Sequence, residues 1–203
     1  MTEHGTLEAE LAGSDWAVDR DLAGGLGEGE HLAGVDFDGC RFTGGSFVAA
    51  GLVRCTFTEC TFVGCDLSRA DVTDSRFAGC TFVDCRLLGT NFAVAHTSGL
   101  TVPFTFDRCR LDFAVFRGLD LHGCVWRDCR LREADLAEVK ARSASFPGSD
   151  LTGATFGRTD LREADLRGSF GCVLDVRENE VRGARFDPAD AAMLLRPFGV
   201  DLG

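Results

Sequence analysis

The chain has 203 residues, 45% of them hydrophobic, and a formal net charge of −11 at pH 7. No apolar run approaches the roughly 18 residues that a membrane-spanning helix requires, and the composition is that of a soluble, folded protein. The N-terminal segment Met1–Glu10 is polar and acidic, unlike a secretory signal, so we expect a cytoplasmic protein. The acidic balance lacks the basic footprint of nucleic-acid-binding proteins, and direct nucleic-acid binding is not expected.

Most of the excess negative charge lies near the N-terminus. Residues 1–30 carry eight acidic residues and one basic residue, whereas residues 31–186 carry 21 acidic and 19 basic residues. The segment 1–30 also lacks a regular spacing of large apolar side chains. We therefore predict that residues 1–30 form an acidic, partly ordered cap on the domain that follows.

A large apolar residue recurs at every fifth position from Leu32 onward, and a small residue stands two positions before it. Between Cys55 and Leu87 the large positions are Phe57, Phe62, Leu67, Val72, Phe77, Phe82 and Leu87. Helices and strands have periods of about 3.6 and 2.0 residues, so neither explains this spacing. The pattern predicts that residues 31–186 form one elongated coil with short, turning sides.

Nine of the ten cysteines occupy the small position of this repeat. A free cysteine behaves as a small hydrophobic residue, so we interpret these cysteines as core residues rather than a disulfide framework. Cys55, Cys60 and Cys65 would lie on three different sides of the coil, which does not make a tetrahedral metal site. No metal or cofactor is expected.

Several repeats carry a small residue, an aspartate and a large apolar residue in succession. The clearest are Ala70-Asp71-Val72, Ala134-Asp135-Leu136 and Ala164-Asp165-Leu166, with near variants at Ser149-Asp150-Leu151 and Thr159-Asp160-Leu161. This pattern resembles the pentapeptide-repeat proteins. The resemblance implies an all-β fold, a right-handed quadrilateral parallel β-helix with four repeats per turn. Residues 20 apart would then stack, so that Phe42, Phe62 and Phe82 form an internal ladder in a tube too full to hold a ligand.

The repeat changes phase once, between Thr97 and Phe106. The large column runs from Leu32 to Val102 and then resumes at Phe106, only four positions later, which suggests a slip of one residue. We expect a bulge or small loop around Thr97, Ser98, Gly99 and Pro103. This segment is either a plain register break or a partner-binding loop on a rigid scaffold.

The five-residue repeat ends before residue 187, and the sequence of residues 187–203 predicts a short C-terminal α-helix with a tail. Asp187 suits the N-cap and Pro188 the first turn, and Pro197 ends the helix. Met193, Leu194, Phe198 and Val200 give the segment an apolar side. They either cover the last coil or form a dimer contact. The segment resembles the closing helix of the gyrase-protecting Qnr and MfpA type, which implies a homodimer.

The outward positions suggest candidate surfaces for a protein partner. Seven acidic residues are the candidates: Asp120, Asp160 and Glu180 on one wall, and Asp135, Glu138, Asp175 and Glu178 on another. Basic residues run beside both groups, so the alternative is a solvated face with ion pairs between neighbouring rows.

The resemblance to the Qnr and MfpA type implies a non-enzymatic DNA mimic. Such a protein binds DNA gyrase or topoisomerase IV and modulates or protects it against quinolone-like or natural poisons. The alternative is a scaffold or interaction module with an unrelated partner, because the nearly neutral body lacks the sustained negative field of a DNA mimic. We expect no enzyme activity, since the sequence shows neither a phosphate loop nor a nucleophile paired with a base.

Overall fold

The computed structural model describes residues 6–96, 104–194 and 199, and its regular elements are short. The strands are β1 Trp16–Val18, β2 Asp21–Leu22, β3 His31–Ala33, β4 Asp36–Asp38, β5 Arg41–Thr43, β6 Gly51–Val53, β7 Thr56–Thr58, β8 Thr61–Val63, β9 Arg76–Ala78, β10 Thr81–Val83, β11 Thr105–Asp107 and β12 Val125–Arg127. The helices are α1 Leu7–Leu11, a 3₁₀ turn Phe92–Val94 and α2 Pro188–Met193. None of the described helices is long and apolar enough to span a membrane.

Strands pair in parallel with the strand one coil away. Phe42 pairs with Phe62, and Phe62 pairs with Phe82, so that every fourth repeat lies on the same side of the coil. The longest sheet has the order β12-β11-β10-β8-β5-β2, and shorter sheets join β1-β4-β7-β9 and β3-β6. The remaining sides are held by single parallel bridges such as Asp66 to Arg86. The predicted right-handed quadrilateral parallel β-helix is confirmed.

We number the four walls of the coil by the large residues at their centres. The first wall is centred on Phe37, Phe57, Phe77 and Leu121; the second on Phe42, Phe62, Phe82 and Phe106; the third on Leu67, Leu87, Leu111 and Leu131; and the fourth on Leu52, Val72, Phe92 and Phe116.

Stacked phenylalanine rings fill the tube. The ring centroids of Phe42 and Phe62 are 4.6 Å apart, and those of Phe62 and Phe82 are 4.8 Å apart, with planes within 8° of parallel. All three side chains are fully buried. The predicted ladder is confirmed, and each buried ring contributes both apolar area and ring contacts to the stability of the coil.

The small position supplies a hydrogen-bond donor as well as the right volume. The thiol of Cys60 donates to the carbonyl oxygen of Phe37 over 3.5 Å, and that of Cys80 donates to Phe57 over 3.4 Å. Each acceptor therefore lies in the coil below its donor. Hydroxyl groups at the same position, as in Thr90 and Ser149, donate to carbonyls with the same separation in sequence. All ten cysteines are free and buried, which confirms their interpretation as core residues.

The coil that contains the phase change is longer than the others. Phe82 pairs with Phe106 rather than with Val102, and Asn91 bridges to Val115 rather than to Leu111. The expected slip of one residue is therefore wrong, because the coil has gained four residues on one side. In a repeat of five residues, the loss of one residue and the gain of four residues shift the phase of the repeat by the same amount, so the sequence alone does not distinguish them. Thr97, Ser98, Gly99 and Pro103, where we expected the loop, lie outside the described residues.

Stacking begins before residue 31. Ala17 pairs with Phe37, and Leu22 pairs with Phe42, so the first strands already belong to the β-helix. Helix α1 is capped by Thr6, whose side chain accepts a hydrogen bond from the backbone N–H of Ala9. The helix buries Leu7 and Leu11 against the core. It thereby covers apolar surface near the start of the solenoid.

Helix α2 follows the last coil, as predicted, but its N-cap works differently. Asp187 occupies the N-cap position without making a side-chain capping bond. Its carboxylate instead accepts from the backbone N–H of Gly168 over 2.7 Å. The aspartate therefore ties the start of the helix to the coil below, and Leu194 packs against the core.

Replacing a central ring should destabilise the whole ladder. We expect Phe62→Ala to lower the free energy of unfolding by about 3–5 kcal/mol, because it leaves a cavity between two stacked rings. Denaturant unfolding followed by circular dichroism measures this change. The neighbouring outward substitution Thr61→Ala is the control and should stay within about 0.5 kcal/mol of the parent. Equal losses for the two variants would contradict the ladder as the main source of stability.

Removing one buried hydroxyl tests the second role of the small position. Ser149 is fully buried; its hydroxyl donates to Trp126 and accepts from the backbone N–H of Cys129 over 3.0 Å. Ser149→Ala fits the space but leaves both groups unpaired, so we expect a loss of about 1–3 kcal/mol in the free energy of unfolding. Faster amide hydrogen exchange at Cys129 should accompany it. An unchanged stability would show that the column acts through volume alone.

Candidate functional site

Among the described residues, the interior is filled by apolar side chains and buried thiols. Burial raises the pKa of the Cys80 and Cys172 thiols to about 12, so these groups stay neutral at pH 7 and are poor nucleophiles and metal ligands. Within the described part of the chain, no group of three or more potential ligands is placed to hold a metal ion. An open groove of about 300 Å³ near the N-terminus is lined by Thr6, Ala23, Gly25, Leu26, Gly27, Gly44, Gly45 and Ser46, none of which has a titratable side chain. The outer walls of the described coil are therefore the surfaces considered next.

On the first wall, the predicted acidic line is interrupted by a base. Parallel backbone bridges place Asp120, Lys140, Asp160 and Glu180 in one row, each residue in the coil after the one before it. The Lys140 ammonium lies 3.9 Å from Asp120, and Arg162 binds Asp160 through two hydrogen bonds. The structure places Asp120, Asp160 and Glu180 on one wall, as expected, but with cations between and beside them.

On the fourth wall, the predicted acidic residues join a mixed network. The Arg117 guanidinium lies 2.9 Å from Asp135 and 3.4 Å from Glu138, and Arg158 also binds Glu138. Further along this wall, Arg177 binds Asp175. Of the seven predicted residues, only Glu178 and Glu180 have no ion pair within the described structure. Most of the predicted acidic residues on these two walls are therefore matched by a cation.

Arginine neighbours also change the titration of the carboxylates. The hydrogen bonds from Arg177 lower the pKa of Asp175 to about 2, and those from Arg167 lower the pKa of Asp165 to about 2. The pKa of Asp160 is likewise lowered by Arg162. These groups stay charged at any physiological pH, but each is matched by a cation two residues later in the chain.

A second acidic surface lies where the segment 1–30, predicted to be a partly ordered cap, stacks on the first strands of the predicted β-helix. Asp36 and Asp38 flank Phe37 on the first wall and stack on Trp16 and Val18. All four side chains are exposed, as is Asp19 at the adjoining corner, and none of the three carboxylates has an ion pair within the described residues. We call Trp16, Val18, Asp19, Asp36 and Asp38 the N-terminal acidic surface. The sequence contained a signal for it, since Ala17 and Leu22 lie in phase with Leu32.

The candidate dimer residues are only partly described. Leu194 packs against the core of its own chain, which is the position expected of a lid. Met193 ends helix α2, but its side chain lies outside the described residues, as do Phe198 and Val200. A dimer contact through this segment stays a prediction.

The family comparison agrees with the geometry. A family model described as pentapeptide repeats (8 copies) matches residues 31–74, 50–89 and 129–168. The chain is a pentapeptide-repeat protein. No curated protein matches it.

Solved structures show how far this pentapeptide-repeat fold extends along the chain. A trypsin-treated form of QnrB1, described as a plasmid-mediated fluoroquinolone resistance protein, has a TM-score of 0.71 and 20% identity. It covers 93% of this chain, and the match spans 97% of that one. Full-length QnrB1 gives a TM-score of 0.59 and 23% identity, with 91% of this chain and 97% of that chain covered. At this identity the likeness concerns the fold.

The lowered pKa values predict how this pentapeptide-repeat protein responds to acid. A carboxylate with a lowered folded-state pKa contributes stability that is fully present above its unfolded pKa, about 4, and is lost as the pH falls. The thermal midpoint should therefore drop between about pH 5 and pH 2. The double variant Asp165→Asn/Asp175→Asn should show a smaller drop, because it lacks two of these groups. Asp128→Asn, at an exposed site without an ion pair in the described structure, is the control and should keep the parent's slope.

Proposed function

We propose that this protein is a non-enzymatic binder of DNA gyrase or topoisomerase IV that alters the enzyme's response to quinolone-like or natural poisons. The observation that carries the proposal is the likeness to QnrB1 over nearly the full length of both chains. QnrB1 is described as a fluoroquinolone resistance protein. The described part of the tube is filled and has no internal site, which also favours action through binding rather than catalysis.

The N-terminal acidic surface is where a DNA-like contact would form. Its three carboxylates are exposed and lack ion pairs within the described residues, so their field is not neutralised locally. Trp16, with 62% of its surface exposed, adds an aromatic contact of the kind enriched in protein interfaces. We propose this surface, rather than the mostly ion-paired acids from Asp120 to Glu180, as the gyrase-facing one.

The partner and compartment follow from the same proposal. The protein would act in the cytoplasm, where its target is found, and its ten free thiols suit a reducing compartment. A homodimer joined through the C-terminal segment would double the length of the rod. Analytical ultracentrifugation of the full chain measures this association.

A gyrase assay tests the function. With purified gyrase, we expect the protein to inhibit supercoiling or to reduce the DNA cleavage that a fluoroquinolone induces. The variant Asp36→Asn/Asp38→Asn should weaken that effect at least about tenfold, because it removes two uncompensated charges. The control Asp160→Asn/Asp175→Asn changes the net charge equally but removes paired acids, and should retain the effect.

Two outcomes would contradict the proposal. No effect on supercoiling or on drug-induced cleavage, with either gyrase or topoisomerase IV, would reject the topoisomerase function. Loss of the effect in the control variant alone would assign the contact to the later coils instead.

A second candidate is a scaffold for an unrelated protein. The ion-paired walls of the later coils favour it, because they form a nearly neutral surface rather than a DNA-like one. Affinity capture followed by mass spectrometry separates the two candidates, since topoisomerase subunits should be absent if the scaffold function is correct.

A further inference from the structure

The third wall carries a line of positive charge in an otherwise acidic protein. The backbone of Arg110 forms parallel β-bridges with Arg86 in the coil before it and with Arg130 in the coil after it. The three arginines therefore hold the same outward position in successive coils. Rows of a β-sheet are about 4.8 Å apart, and like charges directly opposite one another are unfavourable. Folding alone therefore gives no reason to place three arginines in this line.

Two further arginines widen the line into a patch. Arg69 stands at the corner of the preceding coil, and Arg132 lies beside Arg130 in the same repeat. We call this patch the arginine wall: Ser68, Arg69, Arg86, Leu88, Arg110, Asp112, Phe113, Arg130, Arg132 and Glu133, of which Asp112 is buried and the others are at least partly exposed. It contains five arginines and two carboxylates, whereas the whole chain has a net charge of −11.

The carboxylates near the wall pair with three of its five arginines. Asp112 is buried and is bound by Arg130 through contacts of 2.5–2.8 Å. Asp66 and Asp150, on the flanking coils, pair with Arg86 at 3.7 Å and Arg132 at 2.5 Å. Among the described residues, Arg69 and Arg110 have no ion pair. Both are exposed, and Arg110 lies between two other arginines.

The exposed ring of Phe113 is a second and independent feature of this wall. Its side chain is 55% exposed, and its backbone has a φ of 61°, in the left-handed region. That conformation costs a side-chain-bearing residue about 1–2 kcal/mol. The left-handed conformation is regular at the corners of this coil, and Arg69, Gly89 and Glu133 adopt it at the equivalent positions. The unusual property of Phe113 is therefore the exposure of its ring, because a large apolar side chain that stays in solvent gains little from folding.

We propose that the arginine wall is a docking surface for an acidic segment of a protein partner, with Phe113 as its apolar anchor. Arginine and aromatic residues are the side chains that most often dominate binding energy in protein interfaces. The uncompensated charges of Arg69 and Arg110 complement carboxylates, and the ring of Phe113 complements an apolar side chain between them. This surface lies on a different wall from the N-terminal acidic surface and does not depend on the topoisomerase function.

An acidic protein segment fits better than a nucleic acid. The positive patch is local, and the rest of the molecule carries a large excess of acidic residues. A nucleic acid is charged along its entire length and would be repelled beyond the patch. A peptide places its carboxylates only where the arginines are and can also contact Phe113.

Fluorescence anisotropy with the full-length protein tests the proposal. The probe is a short labelled peptide of glutamate, glycine and leucine, compared with a lysine-containing peptide of matched length and a single-stranded oligonucleotide. We expect saturable binding of the acidic peptide alone, weakening as salt is added. Arg110→Glu and Phe113→Gly should each weaken it at least about tenfold. Arg127→Glu, which makes the same charge change on the second wall, is the control and should bind nearly as well as the parent.

The thermal midpoint of each variant separates binding from folding. Phe113→Gly should leave the midpoint unchanged or raise it, because glycine adopts the left-handed conformation without strain. A clear fall would assign Phe113 a structural role and overturn its role as anchor. Absence of saturable peptide binding at low salt, equal weakening by Arg127→Glu, or preference for the oligonucleotide would each overturn the docking proposal.

Discussion

The fold depends on hydrogen bonding between each coil and the next one along the axis. Successive coils pair in parallel through short strands or single bridges, so that Phe82 lies over Phe62 and, across the longer coil, Phe106 lies over Phe82. This pairing stacks each phenylalanine ring on the one below it and places each small donor beside a carbonyl of the preceding coil. Backbone pairing, ring stacking and thiol or hydroxyl bonds therefore share one register, and a change in coil length moves all three together.

A filled core confines recognition to the surface. The walls present rows of side chains at fixed spacing, so charge patterns along the axis become the main variable. In the later coils, acids and bases alternate between neighbouring rows and neutralise each other, as in Asp120, Lys140 and Asp160. Near the N-terminus, Asp36 and Asp38 remain without ion pairs in the described structure. On the third wall, the arginines outnumber the carboxylates. One scaffold thus carries surfaces of opposite sign.

Much of this architecture could be predicted from the period alone. The column from Phe37 to Leu87 indicated which residues lie inside, and the cysteines followed as its small partners. The first coils were missed because Ala17 is small and Leu26 is displaced by one position from the phase of Leu22 and Leu32. The hydrogen bond from Gly168 to Asp187 was also missed, because it joins two different coils. Composition and local spacing carry no information about such a contact.

The sequence by itself determined which side chains form the core of this protein. A repeat of five residues specifies the inward positions, and it does so regardless of how many residues each coil contains. The tertiary structure decided what the outside presents. With an uninterrupted coil, Arg86 would face Phe106, which is a core residue. The four-residue insertion places Arg110 there instead and so creates the arginine wall. A gain of four and a loss of one give the same phase, and only the pairing of Phe82 with Phe106 distinguishes them.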